Sequence, residues 1–70
     1  MINISTGVKI NGGVKIGNNT FIGSGTVIHE GITIGNNVIV GALTLVNKNI
    51  PDNSFVKGNP MVIEKLKNNG

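Results

Sequence analysis

Phe21-Ile22-Gly23-Ser24-Gly25-Thr26-Val27-Ile28-His29-Glu30-Gly31-Ile32-Thr33-Ile34-Gly35-Asn36-Asn37-Val38-Ile39-Val40 places isoleucine or valine at Ile22, Ile28, Ile34 and Val40, six residues apart. The same phase runs upward through Ile16, Ile10 and Ile4 and downward to Val46, eight apolar residues in all. Neither a helix of period 3.6 nor an alternating strand produces that spacing, whereas a fixed six-residue repeat reads as a parallel β-helix. Two residues before each anchor stand Ile2, Val8, Val14, Thr20, Thr26, Ile32, Val38, Thr44 and Ile50. Nearly all are β-branched, and period-two alternation turns them inward beside the anchors. Three residues after the anchors come Gly7, Gly13, Asn19, Gly25, Gly31, Asn37, Leu43 and Asn49. Glycine and asparagine tolerate positive φ, so each rung is a short strand closed by a tight corner. Leu43 departs from that rule, and a leucine at positive φ carries strain unless its side chain finds cover.

Three rungs close a triangle of roughly 18 residues, which brings residues one coil apart to about 4.8 Å. Asn18 then stacks on Asn36, Asn19 on Asn37 and Glu30 on Lys48, while Thr6, Ser24 and Ala42 form a corner of small residues. Outward positions sort into one face of Asn3, Phe21 and Ile39, a second of Lys9, Val27 and Leu45, and a third of Lys15, Thr33 and Pro51. The first two are partly apolar and adjacent. Apolar surface on two neighbouring sides suits a closed cyclic trimer, in which each subunit uses two sides.

The chain has 70 residues, enough for one small domain. A domain of this size buries only about 60% of its unfolded surface and needs a brace. With no cysteine and one histidine, disulfides and a His/Cys zinc cluster are excluded, leaving oligomerisation. The net charge of +3 comes from six dispersed lysines, and the only aromatics are Phe21 and Phe55. That argues against nucleic acid, whose binders cluster charge and add stacking rings. No apolar run approaches a membrane span, and the first residues lack the basic-then-apolar layout of a signal peptide. A cytoplasmic location is the default expectation. After Asn49 the repeat decays, Pro51 and Pro60 mark turns, and Met61 to Lys67 is expected to form a short helix covering the base. The expected organisation is a β-helix over residues 1–58 and a loop with a helical tail over 59–70.

The repeat, its corners and the segment Gly41-Ala42-Leu43-Thr44-Leu45-Val46-Asn47-Lys48-Asn49-Ile50-Pro51 with Gly58-Asn59-Pro60 resemble the hexapeptide-repeat acyltransferases. Ile10-Asn11-Gly12-Gly13-Val14-Lys15-Ile16-Gly17 is similar to a stretch in bacterial sialic acid O-acetyltransferases and UDP-amino-sugar N-acetyltransferases. The resemblance implies an all-β, left-handed parallel β-helix of about three triangular coils, a homotrimer, and acetyl transfer from acetyl-CoA to a sugar or nucleotide-sugar without a metal. It also implies a histidine general base in an Asn-His-Asp/Glu motif, which is expected upstream of Met1 and is absent from this chain. Gly12 matches the residue that presents a backbone N–H to the oxyanion, and Ser24 and Ala42 match positions whose backbones contact the cofactor. Lys48 and Lys57 lie where the CoA phosphates would sit and supply point charges.

His29, the one histidine, sits in a different phase from that motif and several rungs later, so a solvent-facing corner position accounts for it better than catalysis. Gly12 also has a plain explanation, a tight corner that needs two permissive residues. The Asn columns read as structural. Outward threonine arrays of the ice-binding kind are missing, because Thr20, Thr26 and Thr44 point inward. The rival to an acetyltransferase is a catalytically silent β-helical trimerisation module.

Overall fold

The computed structural model describes residues 1–66. Its ten strands are β1 (Ile2–Ile4), β2 (Lys9–Ile10), β3 (Lys15–Ile16), β4 (Thr20–Ile22), β5 (Val27–Ile28), β6 (Thr33–Ile34), β7 (Ile39–Val40), β8 (Leu45–Val46), β9 (Ser54–Lys57) and β10 (Val62–Lys65). They build a left-handed parallel β-helix of about three turns. Sheet order follows the three faces: β1-β4-β7-β9-β10 on the first, β2-β5-β8 on the second and β3-β6 on the third. Pairs such as Asn3 with Phe21, Phe21 with Ile39 and Val27 with Leu45 realise the spacing of eighteen.

Ile22, Ile28, Ile34, Val40 and Val46 fill the axis, each at most 1% exposed. Thr20, Thr26 and Thr44 share this interior because their hydroxyls have backbone partners. Thr26 Oγ1 donates to the Gly41 carbonyl at 2.9 Å, and Thr44 Oγ1 donates to the same carbonyl at 2.8 Å. Among the described residues no buried side-chain polar atom lacks a partner, which removes the desolvation penalty that a buried hydroxyl would otherwise carry.

Positive φ falls at Gly7, Gly13, Asn19, Gly25, Gly31, Asn37 and Leu43, the corners read from the repeat. Leu43 has φ 57° and lays Cδ2 over Gly25, where a Cβ would meet it at 2.7 Å. The leucine thus covers the glycine of the coil above. At the Asn corner the columns are not amide-to-amide ladders. Asn36 Oδ1 accepts the Asn18 N–H, and Asp52 Oδ1 accepts the Asn36 N–H, both at 2.7 Å. Each side chain caps the backbone of the coil above.

The last coil breaks the expected register. Ile28 still pairs with Val46, but Ile34 bridges to Ile50 and Ile39 pairs with Phe55, a spacing of sixteen. Two residues are therefore missing between Val46 and Ile50, at the corner where the coil above runs His29 to Thr33. Three expectations change. Ile50 takes an anchor position at 2% exposure. Asn49, and not Pro51, lies beneath Thr33, with its Oδ1 accepting the Thr33 N–H at 2.8 Å. Asn49 is also not a positive-φ corner; Asn53, at φ 59°, takes that role one corner later. The spacing that would stack Glu30 on Lys48 ends within this corner.

The tail is a strand where a helix was expected. Strand β10 pairs antiparallel with β9, Ile63 opposite Val56 and Glu64 opposite Phe55. The open edge of β9 offers backbone partners along its whole length, and β-branched Val62 and Ile63 suit a strand. A helix of seven residues has no such support and is marginal in water. Met61 packs against the core, whereas Ile63 stays 39% exposed. Lys67, the last residue of the expected helix, lies outside the described residues.

Candidate functional site

Three corners run the length of the solenoid, and the residues singled out from the sequence divide between two of them. Ser24 and Ala42 occupy the corner between the first and second faces, both exposed. This edge is held close by glycine: a Cβ at Gly23 would stand 2.5 Å from the Ala42 nitrogen. The Leu43 N–H donates to the Ser24 carbonyl at 2.8 Å, so the two coils are tied at this point. Lys57 follows on the next coil, its Cβ 3.5 Å from where a Gly41 Cβ would be, with Nζ 5.8 Å from the centroid of Phe55. Ser24, Ala42 and Lys57 thus line one edge.

Gly12 lies at the opposite end of the second face, on the corner it shares with the third. Only Gly13 there needs positive φ, at 74°. Gly12 adopts no such angle, and a Cβ on it would meet nothing within 4 Å. Neither conformation nor packing inside the subunit requires glycine at 12. Its carbonyl accepts the Gly31 N–H at 2.9 Å, while among the described residues its own N–H makes no hydrogen bond. An open, unpaired N–H without a side chain is what an incoming oxyanion needs. Lys48 is exposed on this same corner, two coils lower, so the structure does not bring it to the Ser24 edge.

His29 stands on that corner as well. It falls eighteen residues after Asn11 and eighteen before Asn47, and all three follow an anchor of the six-residue repeat. A cavity of about 360 Å³ is lined by Asn11, His29, Glu30, Ile32 and Asn47. This grouping was not singled out from the sequence, although the polar residue recurring after Ile10, Ile28 and Val46 marks it. Among the described residues no three His, Cys, Asp or Glu side chains converge as metal ligands.

Outward on the first face, Phe21 and Ile39 are 42% and 40% exposed, above a half-buried Phe55. The second face adds half-buried Val27 and Leu45.

Against known families, residues 3–30 and 13–48 match the bacterial transferase hexapeptide family, six repeats. The chain belongs to this family. Among solved structures, this hexapeptide protein is similar to the acetyltransferase domain of PglB from Neisseria gonorrhoeae in complex with acetyl coenzyme A. The two share 34% identity at a TM-score of 0.85, over 87% of this chain and 30% of that one. It is also similar to a maltose O-acetyltransferase from Clostridium difficile, with 34% identity, TM-score 0.88 and coverage of 96% and 46%. PerB from Caulobacter crescentus, in complex with CoA and GDP-perosamine, gives 34% identity, TM-score 0.84 and coverage of 87% and 30%. The hexapeptide chain therefore spans less than half the length of these relatives. Comparison with curated proteins gives no match.

Proposed function

We propose that this hexapeptide chain supplies cofactor-facing coils of an acetyl-CoA-dependent acetyltransferase acting on a sugar or nucleotide-sugar. The observation that carries the reading is the likeness, over 87% of the chain at 34% identity, to an acetyltransferase domain in complex with acetyl-CoA. The chain's own residues suit the chemistry. The Gly12 N–H is free to hold the oxygen of the acetyl carbonyl as negative charge develops on it. Ser24 and Ala42 offer an edge without bulky side chains for the pantetheine arm, and Lys57 supplies positive charge below them for the phosphates. The attacking amine or hydroxyl loses its proton to a general base, and the thiol of CoA leaves. The family's base motif is not among these residues, and His29 lies out of phase with it.

Gly12 and the Ser24 edge occupy different corners of one subunit, so they serve a single acetyl group only when they come from neighbouring subunits. A homotrimer would set corners of neighbouring subunits side by side, each groove taking one corner from each neighbour. Lys48 would reach the groove from the Gly12 side. The fold operates as a cytoplasmic enzyme component in this reading.

Isothermal titration with acetyl-CoA tests the proposal. Affinity tighter than about millimolar supports it, with little or no turnover expected from these 70 residues alone. Silence would favour the trimerisation module, whose support is the exposed Phe21 and Ile39 surface.

A further inference from the structure

The backbone nitrogen that is free to meet an oxyanion is also free to attack the side chain before it. Asparagine is a thermolabile residue: its amide is lost when the next backbone nitrogen reaches the amide carbon. Glycine in the next position brings no side chain to obstruct that approach. Asn11 and Asn69 precede glycine, and Asn69 lies outside the described residues. The structure further separates Asn11 from other asparagines by what the following nitrogen is doing. After Asn36, the Asn37 N–H donates to the Asn18 carbonyl at 2.9 Å. After Asn37, the Val38 N–H donates to Thr20 Oγ1 at 3.3 Å. After Asn49, the Ile50 N–H donates to the Thr33 carbonyl at 2.9 Å. The Gly12 N–H has no partner among the described residues, and a Cβ at 12 would meet nothing within 4 Å.

We propose that Asn11-Gly12 is a self-modification site, at which Asn11 converts to aspartate or isoaspartate through a succinimide. The Gly12 nitrogen gives its proton to solvent base and attacks Asn11 Cγ. The N–Cγ bond forms, the Cγ–Nδ2 bond breaks, and Nδ2 takes up a proton and leaves as ammonia. Water then adds to either ring carbonyl and reopens the C–N bond there. The fold registers each product. Asn11 N–H and Nδ2 both donate to the Ile28 carbonyl, at 3.2 and 2.8 Å. Aspartate replaces the second donor with an oxygen that repels that carbonyl. Isoaspartate adds a carbon to the backbone and displaces the Gly12 carbonyl from the Gly31 N–H, which it accepts at 2.9 Å. The succinimide carries no hydrogen on the Gly12 nitrogen. Under the acetyl-transfer reading, on which this consequence alone rests, ring closure removes the oxyanion donor.

The test is incubation of the folded chain at mildly alkaline pH without acetyl-CoA, followed by tryptic digestion and mass spectrometry. Trypsin releases Ile10–Lys15, in which Asn11 is the only asparagine. This peptide is expected to gain the mass difference between amide and acid, and to split into aspartate and isoaspartate forms. It should do so ahead of the peptides carrying Asn36 and Asn49. The hydrogen bond to Ile28 restrains the amide and should slow conversion about tenfold relative to the urea-unfolded chain. Gly12→Ala, which the open space at 12 accommodates, is expected to suppress conversion while circular dichroism reports the parental fold. An unchanged Ile10–Lys15 peptide after about ten half-times of the unfolded chain overturns the inference, since a tenfold slowing would leave half converted. So does conversion led by Asn36 or Asn49, or conversion undiminished by Gly12→Ala. The readout is covalent mass, so the inference stands or falls whether or not acetyl-CoA binds.

Discussion

Alanine substitution at two adjacent glycines separates a conformational requirement from a vacant one. Gly12→Ala and Gly13→Ala remove the same backbone freedom from the unfolded chain, a gain of about 0.4–1 kcal/mol in each case. That contribution cancels when the two are compared. Gly13 has φ 74°, and its Cβ would stand 3.6 Å from the Gly31 backbone, an ordinary contact. The penalty there is the left-handed conformation, roughly 1–2 kcal/mol for an L-residue. Gly12 carries neither a positive φ nor a neighbour within 4 Å. Gly12→Ala is therefore expected to raise the melting temperature by a few degrees, and Gly13→Ala to lie below it by about 1–2 kcal/mol, or roughly 4–16 °C for a chain this small. Thermal unfolding followed by circular dichroism at one fixed protein concentration measures the gap, since an oligomer's transition moves with concentration. Equal melting temperatures, or greater damage from Gly12→Ala, would refute the view that residue 12 is glycine for something outside the subunit.

Other outcomes follow from single contacts. Thr26→Val keeps the shape but removes the hydroxyl that donates to the Gly41 carbonyl and accepts the Thr44 N–H at 3.4 Å. A loss of about 1–3 kcal/mol is expected, seen as a lower urea midpoint at unchanged slope. Asn49→Ala deprives the Thr33 N–H of its acceptor, with an expected loss of about 1 kcal/mol and faster hydrogen exchange at the Thr33 amide. Phe21→Glu puts a charge on the apolar first face while leaving the core untouched; under the proposed trimer, sedimentation velocity is expected to find a trimer for the parent chain and monomers for the variant.

The repeat was legible because a period of six is local. Each anchor and corner can be read within one rung: six corner positions from Gly7 to Asn37 have the backbone angle their residue types imply, and Leu43 takes the same angle against its type. The missing pair after Val46 was not legible, because Ile50 is apolar and suits either inward slot. Its signal is interval alone: Ile50 follows Val46 by four residues, and Val56 follows Ile50 by six. The tail misled for another reason. Seven residues of mixed polarity look helical in isolation, and only the open edge of β9 decides for a strand. At the site, Asn11-Gly12-Gly13 has two readings in sequence, and backbone angles separate them by assigning the turn to Gly13. The cavity at His29 depends on residues eighteen apart and on a coil that is too short, so a rung-by-rung reading passes over it.

Strand β10 has a consequence for how copies of this solenoid can meet. A parallel β-helix invites end-to-end growth, because each end presents strand edges running in the direction that another coil would match. On the first face the last strand runs backwards and carries Glu64 and Lys65, both exposed. A charged edge of reversed direction discourages the pairing by which strands propagate into fibres. The first face is thereby guarded against end-to-end pairing while its flank keeps Phe21 and Ile39 exposed, which leaves the side of the solenoid as the surface better suited to association.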